Sequence, residues 1–144
     1  MADYSKLVDS GRVKKGRFSR RQVDSCFEIA RRDLETSRVV VDVSPEWAFN
    51  IAYNAMHQIG RAFMFSSGYR AVGEGHHATV VQFLVTGLGN RCSDIVTVMD
   101  RMRRKRNRAT YDKVGTISRK EAKEAIANAD ELMNEVRSRI KPTR

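Results

Sequence analysis

Only two prolines, Pro45 and Pro142, and two cysteines, Cys26 and Cys92, occur among the 144 residues. The cysteines have no close spacing and no second pair, which excludes a disulfide framework and a zinc knuckle and points to free thiols in a reducing cytosol. Apolar residues never run on for the ~18 positions that a membrane span needs, and no apolar stretch opens the chain, so neither a membrane protein nor an exported one is expected. Histidine is scarce as well: His57, His76 and His77 are the whole complement. Acid is in deficit, with 17 Asp and Glu against 27 Lys and Arg and a formal charge of +10. A surface of that sign attracts phosphates or acidic proteins, less strongly as salt rises.

What is present suits one packed, helical, cytoplasmic domain. At 41% hydrophobic and 31% charged residues the chain has too much apolar material to stay disordered. Its length fits a single core that buries roughly two thirds of the unfolded surface. Ala, Arg, Glu and Met, which lose little freedom in a helix, are frequent. Residues 1–18 carry Lys6, Arg12, Lys14, Lys15 and Arg17 around the breakers Gly11 and Gly16, without a sustained apolar period. They read as a basic N-terminal arm, which leaves 19–144 as the helical domain.

Start and stop signals divide that domain into helices. Ser19 followed by Gln22 has capping-box spacing, and Val23, Phe27, Ala30, Leu34 and Val41 then recur at helical intervals, so a first helix runs from Ser19 to about Val41. Ser44-Pro45-Glu46 supplies an N-cap, a proline in the first turn and an early acid for a second, which passes through Trp47, Ile51, Ala55, Ile59 and Phe63 and stops near Gly68. A short third helix is expected over His76 to Leu88, and a fourth, capped by Asn90 or Ser93, bears Ile95, Val98, Met99 and Met102. Ser118 and Glu121 repeat the capping box before a fifth with the stripe Ala122, Ala125, Ile126, Ala129, Leu132, Met133, Val136 and Ile140. No strand pattern competes.

The chemistry-bearing stretch is Arg101 to Asp112. It places six cations in the eight positions Arg101 to Arg108, and neighbours on a helix differ by about 100°. Steps of three and four along the seam from Ile95 through Met102 lead to Arg106, so Arg106 falls on the core-directed stripe, whereas Arg101, Arg104, Lys105 and Arg108 lie mainly off it. A charge there needs a partner or a cleft. With Asn107 and Tyr111 it can line a pocket for a phosphate, whose oxygens match the guanidinium fork; the bland alternative is a helix end whose arginine snorkels into water. Asn50, Asn54, His57 and Arg61 form a polar stripe on the second helix. It either shapes the same cleft or is merely that helix's solvated face. Adjacent histidines point in different directions on a helix and no acid or thiol sits at zinc-site spacing, so no metal and no cofactor are expected. Gly73-Glu74-Gly75 lacks phosphate-loop spacing and reads as a turn. Asp33 and Asp112 read as ordinary surface acids.

Arg106-Asn107 with Tyr111, followed by the Ser118-to-Ile140 helix, resembles the C-terminal half of a HEPN domain. Ala52-Tyr53-Asn54-Ala55-Met56-His57-Gln58 with Arg61-Ala62 and Gly68-Tyr69-Arg70 is similar to that family's second helix and its exit, and Ala30-Arg31-Arg32-Asp33-Leu34 to the end of its first. The resemblance implies an all-α, antiparallel up-and-down four-helix bundle with a short additional helix, assembled as a homodimer around two copies of the arginine motif. It also implies binding of RNA, a nucleotide or a nucleotidyltransferase partner, as in toxin–antitoxin pairs, through Arg103, Arg104, Arg106, Asn107, Asn54 and His57. Many members are metal-independent ribonucleases with Arg, four to six residues, then His. Here four intervening residues separate Arg106 from Tyr111, and no histidine follows His77. A phenol near pKa 10 is a poor proton shuttle at neutrality. A ribonuclease using Arg106 and Tyr111 is therefore the second expectation, and a helical scaffold or a DNA binder with Arg101 to Arg108 as recognition helix the third.

Overall fold

Side-chain hydrogen bonds at Ser19, Ser44 and Ser118 explain where three of the long helices begin. In the computed structural model, which describes residues 2–111 and 117–140 and the side chains of all of these except 106–111, the Ser19 side chain accepts from the Gln22 N–H while the Gln22 side chain reaches back to Ser19, and helix α2 follows over Arg20–Val40. Ser44 caps α3, Pro45–Ser66, and Gly68 at φ +87° turns the chain out of it. Helix α4 covers His76–Leu88, a 3-10 turn at Asn90–Cys92 leads into α5, Ser93–Tyr111, and the Ser118–Glu121 capping box opens α6, Arg119–Arg139. An N-cap of this kind is worth roughly 1 kcal/mol.

Cross-helix pairs give the directions. Ser37 Oγ donates to the Ala48 carbonyl at 2.6 Å and Phe18 stacks on Phe65, so α2 and α3 run antiparallel. Arg38 pairs with Asp130, and Arg137 lies over the Phe27 ring, which makes α6 antiparallel to α2. Lys105 meets Glu121 while Arg139 reaches Cys92, which makes α6 antiparallel to α5 as well. The result is an all-α, up-and-down bundle of four long helices, α2, α3, α5 and α6, with α4 as the short extra one. Helix α3 is central: thirteen of its residues are buried, among them Tyr53, Met56 and Ile59 with no exposure at all.

Helix α4 departs from hairpin logic. Tyr53 meets His77, Gly60 faces Val80 and Leu84, and Phe63 contacts Phe83, so α4 runs alongside α3 in the same direction. The segment between them must therefore travel back along α3, and part of it does so as strand β2, Tyr69–Ala71. A methyl added at Gly60 would overlap Val80, so glycine is what lets the two helices approach.

The N-terminal segment, expected to be an arm without regular structure, is instead docked on the bundle. It forms a short helix α1, Ser5–Asp9, and a strand β1, Val13–Lys15, antiparallel to β2 with Val13 opposite Ala71. Val13 is 1% exposed, and the Tyr4 ring stacks on Phe83 at 3.9 Å. Apolar contacts here come from single residues spaced too irregularly to show a period, and the strand pairs with a partner more than 50 residues away. The cations Lys6, Arg12, Lys14, Lys15 and Arg17 remain accessible to solvent to varying degrees, with Lys14 and Lys15 exposed on β1.

Candidate functional site

Two of the open grooves hold the candidate polar side chains. The first, of 810 Å³, lies between α4 and α5, floored by Val81, Val85 and Val96 and walled by Arg101, Arg103, Arg104 and Lys105. The α5 seam explains the placement. Val96, Met99 and Met102 are buried, which turns positions 100, 101, 103 and 104 toward the groove and solvent. Val85 is 56% exposed at its floor. Asp100 is the one acid among the described lining residues; it binds Arg103 Nε at 3.1 Å and also pairs with Arg104. The Arg104 hydrogen bond, partly offset by burial and supported by Arg103, holds the Asp100 carboxyl below the usual carboxylate range. Lys105 is tied to Glu121 of α6, whose carboxyl that contact lowers in the same way.

The second groove, of 470 Å³, opens where α3, α4, β2 and the end of the N-terminal segment meet, and is lined by Phe18, His57, Arg61, Phe65, Arg70 and His76 among others. His57 is 8% exposed, His77 half-buried and His76 exposed. The histidines, expected to diverge, come together: one ligand atom from each lies within 4.8 Å of the other two. The His57 and His77 rings stack with centroids 4.1 Å apart, and the Tyr53 hydroxyl contacts His77 Nδ1 at 2.9 Å. Sequence reasoning missed this because the residues sit on two helices whose parallel register is set by the β2 return. The only signal available was that all the chain's histidines fall within one helix and the start of the next.

The site residues expected from sequence thus divide. Arg103 and Arg104 are together on the first groove, whereas His57 lines the second; Asn54 is exposed on α3, and Asn50 of the same stripe is buried. That stripe is therefore not one solvated face. Arg106, Asn107 and Tyr111 lie on the α5 backbone, but their side chains are outside the described residues, as is Asp112. Asp33 pairs with its neighbour Arg32 at 2.9 Å. Burial raises both thiols, Cys26 and Cys92, away from the reactive thiolate. No helix among the described residues is long and apolar enough to cross a membrane.

With that geometry in place, comparison with known proteins is informative. A family profile described as the HEPN domain matches residues 23–139. The fold is similar to the crystal structure of an archaeal HEPN homologue, 20% identical, with a TM-score of 0.64 over 83% of this chain and 98% of that one. It is likewise similar to the crystal structure of TT1696 from Thermus thermophilus, 18% identical, with a TM-score of 0.65 over 81% of this chain and 97% of that one. At these identities the likeness concerns the fold alone. No curated protein matches the sequence.

Proposed function

Because the chain belongs to the HEPN family, with the domain spanning residues 23–139, we propose that it is a non-cleaving binding module whose α4–α5 groove holds the phosphates of single-stranded RNA. The observation that carries this is the wall of Arg101, Arg103, Arg104 and Lys105 above an apolar floor. Arginine forks donate to phosphate oxygens in pairs, and Val81 and Val85 offer a dry surface to ribose and base. The described lining holds no aromatic ring for stacking, so contact runs through the backbone with little sequence preference. The family's ribonuclease chemistry needs a histidine after the motif arginine, and this sequence has Tyr111 there.

Fluorescence anisotropy with labelled single-stranded RNA tests the proposal. The wild type should bind saturably, and Arg103→Glu with Arg104→Glu should weaken binding at least about tenfold, because each reversal replaces an attraction by a repulsion. Equal affinity would remove the groove from consideration. In parallel, RNA cleavage that disappears in Arg106→Ala would replace this reading by the ribonuclease one.

A protein-contact face has its own support. Val39, Val43 and Trp47, 76%, 88% and 63% exposed, gather around the α2–α3 turn. Apolar patches of this kind commonly mark interfaces, and we assign this one to a second copy of the chain. Light scattering should give a dimer for the wild type and a monomer for Val43→Glu.

A further inference from the structure

The histidine cluster is not used by the proposed RNA groove, and it has the makings of a site of its own. We propose that His57, His76 and His77 form a three-imidazole site for a divalent transition metal of the zinc class, with its remaining coordination positions open to the second groove.

Four observations support this. The three side chains are the chain's entire histidine content, and their ligand atoms already lie within 4.8 Å of one another. For tetrahedral zinc with Zn–N of ~2.0–2.1 Å the nitrogens stand about 3.3 Å apart, so the cluster is open by roughly 1.5 Å at most. Helix mounts fix two of the three ligands. His57 projects from the buried centre of α3, while the left-handed Gly75, φ +74°, starts α4 so that His77 stacks against it. His76 is exposed and able to close the remaining distance. An ion must lie in the plane of every ring it binds, so the His57 ring has to turn out of its stack on His77 about χ2, a broad and inexpensive torsion for histidine.

Tyr53 supplies the outer contact. With the Nδ1–H of His77 donating to the Tyr53 hydroxyl, 2.9 Å away, Nε2 is the nitrogen of His77 that would ligate the metal; this fixes tautomer and orientation in the manner common to zinc-bound histidines. Three neutral nitrogens select zinc, cobalt, nickel or copper over magnesium and calcium, which take oxygen ligands. The described lining of the groove contains no carboxylate, whereas Arg61 and Arg70 both belong to it. The open position therefore favours an anion, either hydroxide or an oxyanion ligand.

Tag-free, full-length protein should be titrated with Co2+ followed by absorbance and with Zn2+ followed by calorimetry. One ion per chain is expected, with d–d bands of low-coordinate cobalt. Because no other histidine exists, Zn2+ should also shift all three imidazole signals in a two-dimensional NMR spectrum. His76→Ala alters an exposed side chain and leaves packing intact, and it should bind at least about tenfold more weakly. Tyr53→Phe, which removes a positioning residue, should weaken binding by about tenfold while circular dichroism stays unchanged. Absence of saturable binding, wild-type affinity in His76→Ala, or a shift in fewer than three imidazoles would each overturn the site.

Discussion

Asp100 sits against two of the four cations of the α4–α5 groove, and replacing it by asparagine changes what those cations can do. Its carboxylate binds Arg103 Nε at 3.1 Å and pairs with Arg104; the side-chain exposures are 25% for Asp100, 28% for Arg103 and 67% for Arg104. Pairs this accessible are worth about 0.2–1 kcal/mol each, with the Arg103 pair toward the upper end and the Arg104 pair toward the lower. A phosphate that takes over both arginines must first displace the carboxylate, so Asp100→Asn removes a competitor of about 0.4–2 kcal/mol in all. RNA should then bind about 2- to 30-fold more tightly. Because the same two arginines contact phosphate in both proteins, the slope of log affinity against log salt should stay within ~0.7, the value of one single-strand contact, of that of the wild type. Anisotropy titrations from about 50 to 200 mM salt measure both quantities, with thermal melting to show that the fold is retained. If Asp100→Asn binds more weakly, the carboxylate orients the arginines instead of competing for them; if affinity is unchanged, the groove is not where RNA binds.

Two further outcomes concern the fold. Gly60→Ala places a methyl where Val80 and Leu84 now lie, and forcing α3 and α4 apart should cost about 1–3 kcal/mol, read as a lowered midpoint in urea. Stability should also fall in acid, because contacts with Arg104, Lys105 and Arg139 respectively hold the carboxyls of Asp100, Glu121 and Glu135 below their ordinary values. A depressed carboxyl stabilises fully above its unfolded pKa of about 4 and loses that contribution as pH falls through the lower folded value, so the melting temperature should decline below about pH 4 and decline less in Asp100→Asn.

Much of the helical layout is local and legible in the sequence. Ser19 with Gln22, Ser44 with Trp47, and Ser118 with Glu121 each settle a helix start through bonds spanning three residues, and the stripe from Ala122 to Val136 is buried at most of the positions its period marks. The cationic wall is legible in part: helical steps along Ile95, Val98, Met99 and Met102 set Arg101, Arg104 and Lys105 off the seam, whereas the structure buries Val96 and leaves Ile95 and Val98 only half-buried. The docked N-terminus is not, since Val13 and Tyr4 owe their burial to β2 and Phe83, far along the chain.

Which residues form the five main helices, where the capped ones start, the sign of the surface and the lack of a motif histidine near Arg106 all follow from the order of residues, because each depends on neighbours within a turn or two or on a simple count. Long-range packing was needed to bring His57, His76 and His77 into one cluster while Arg103 and Arg104 wall a groove. From His57 to the end of α3 at Ser66 is ~13 Å at 1.5 Å per residue. The segment with β2 spans that distance backward in extended form, so α4 begins level with His57 and runs parallel to α3. Neither the length of that return nor its direction is written in any local pattern.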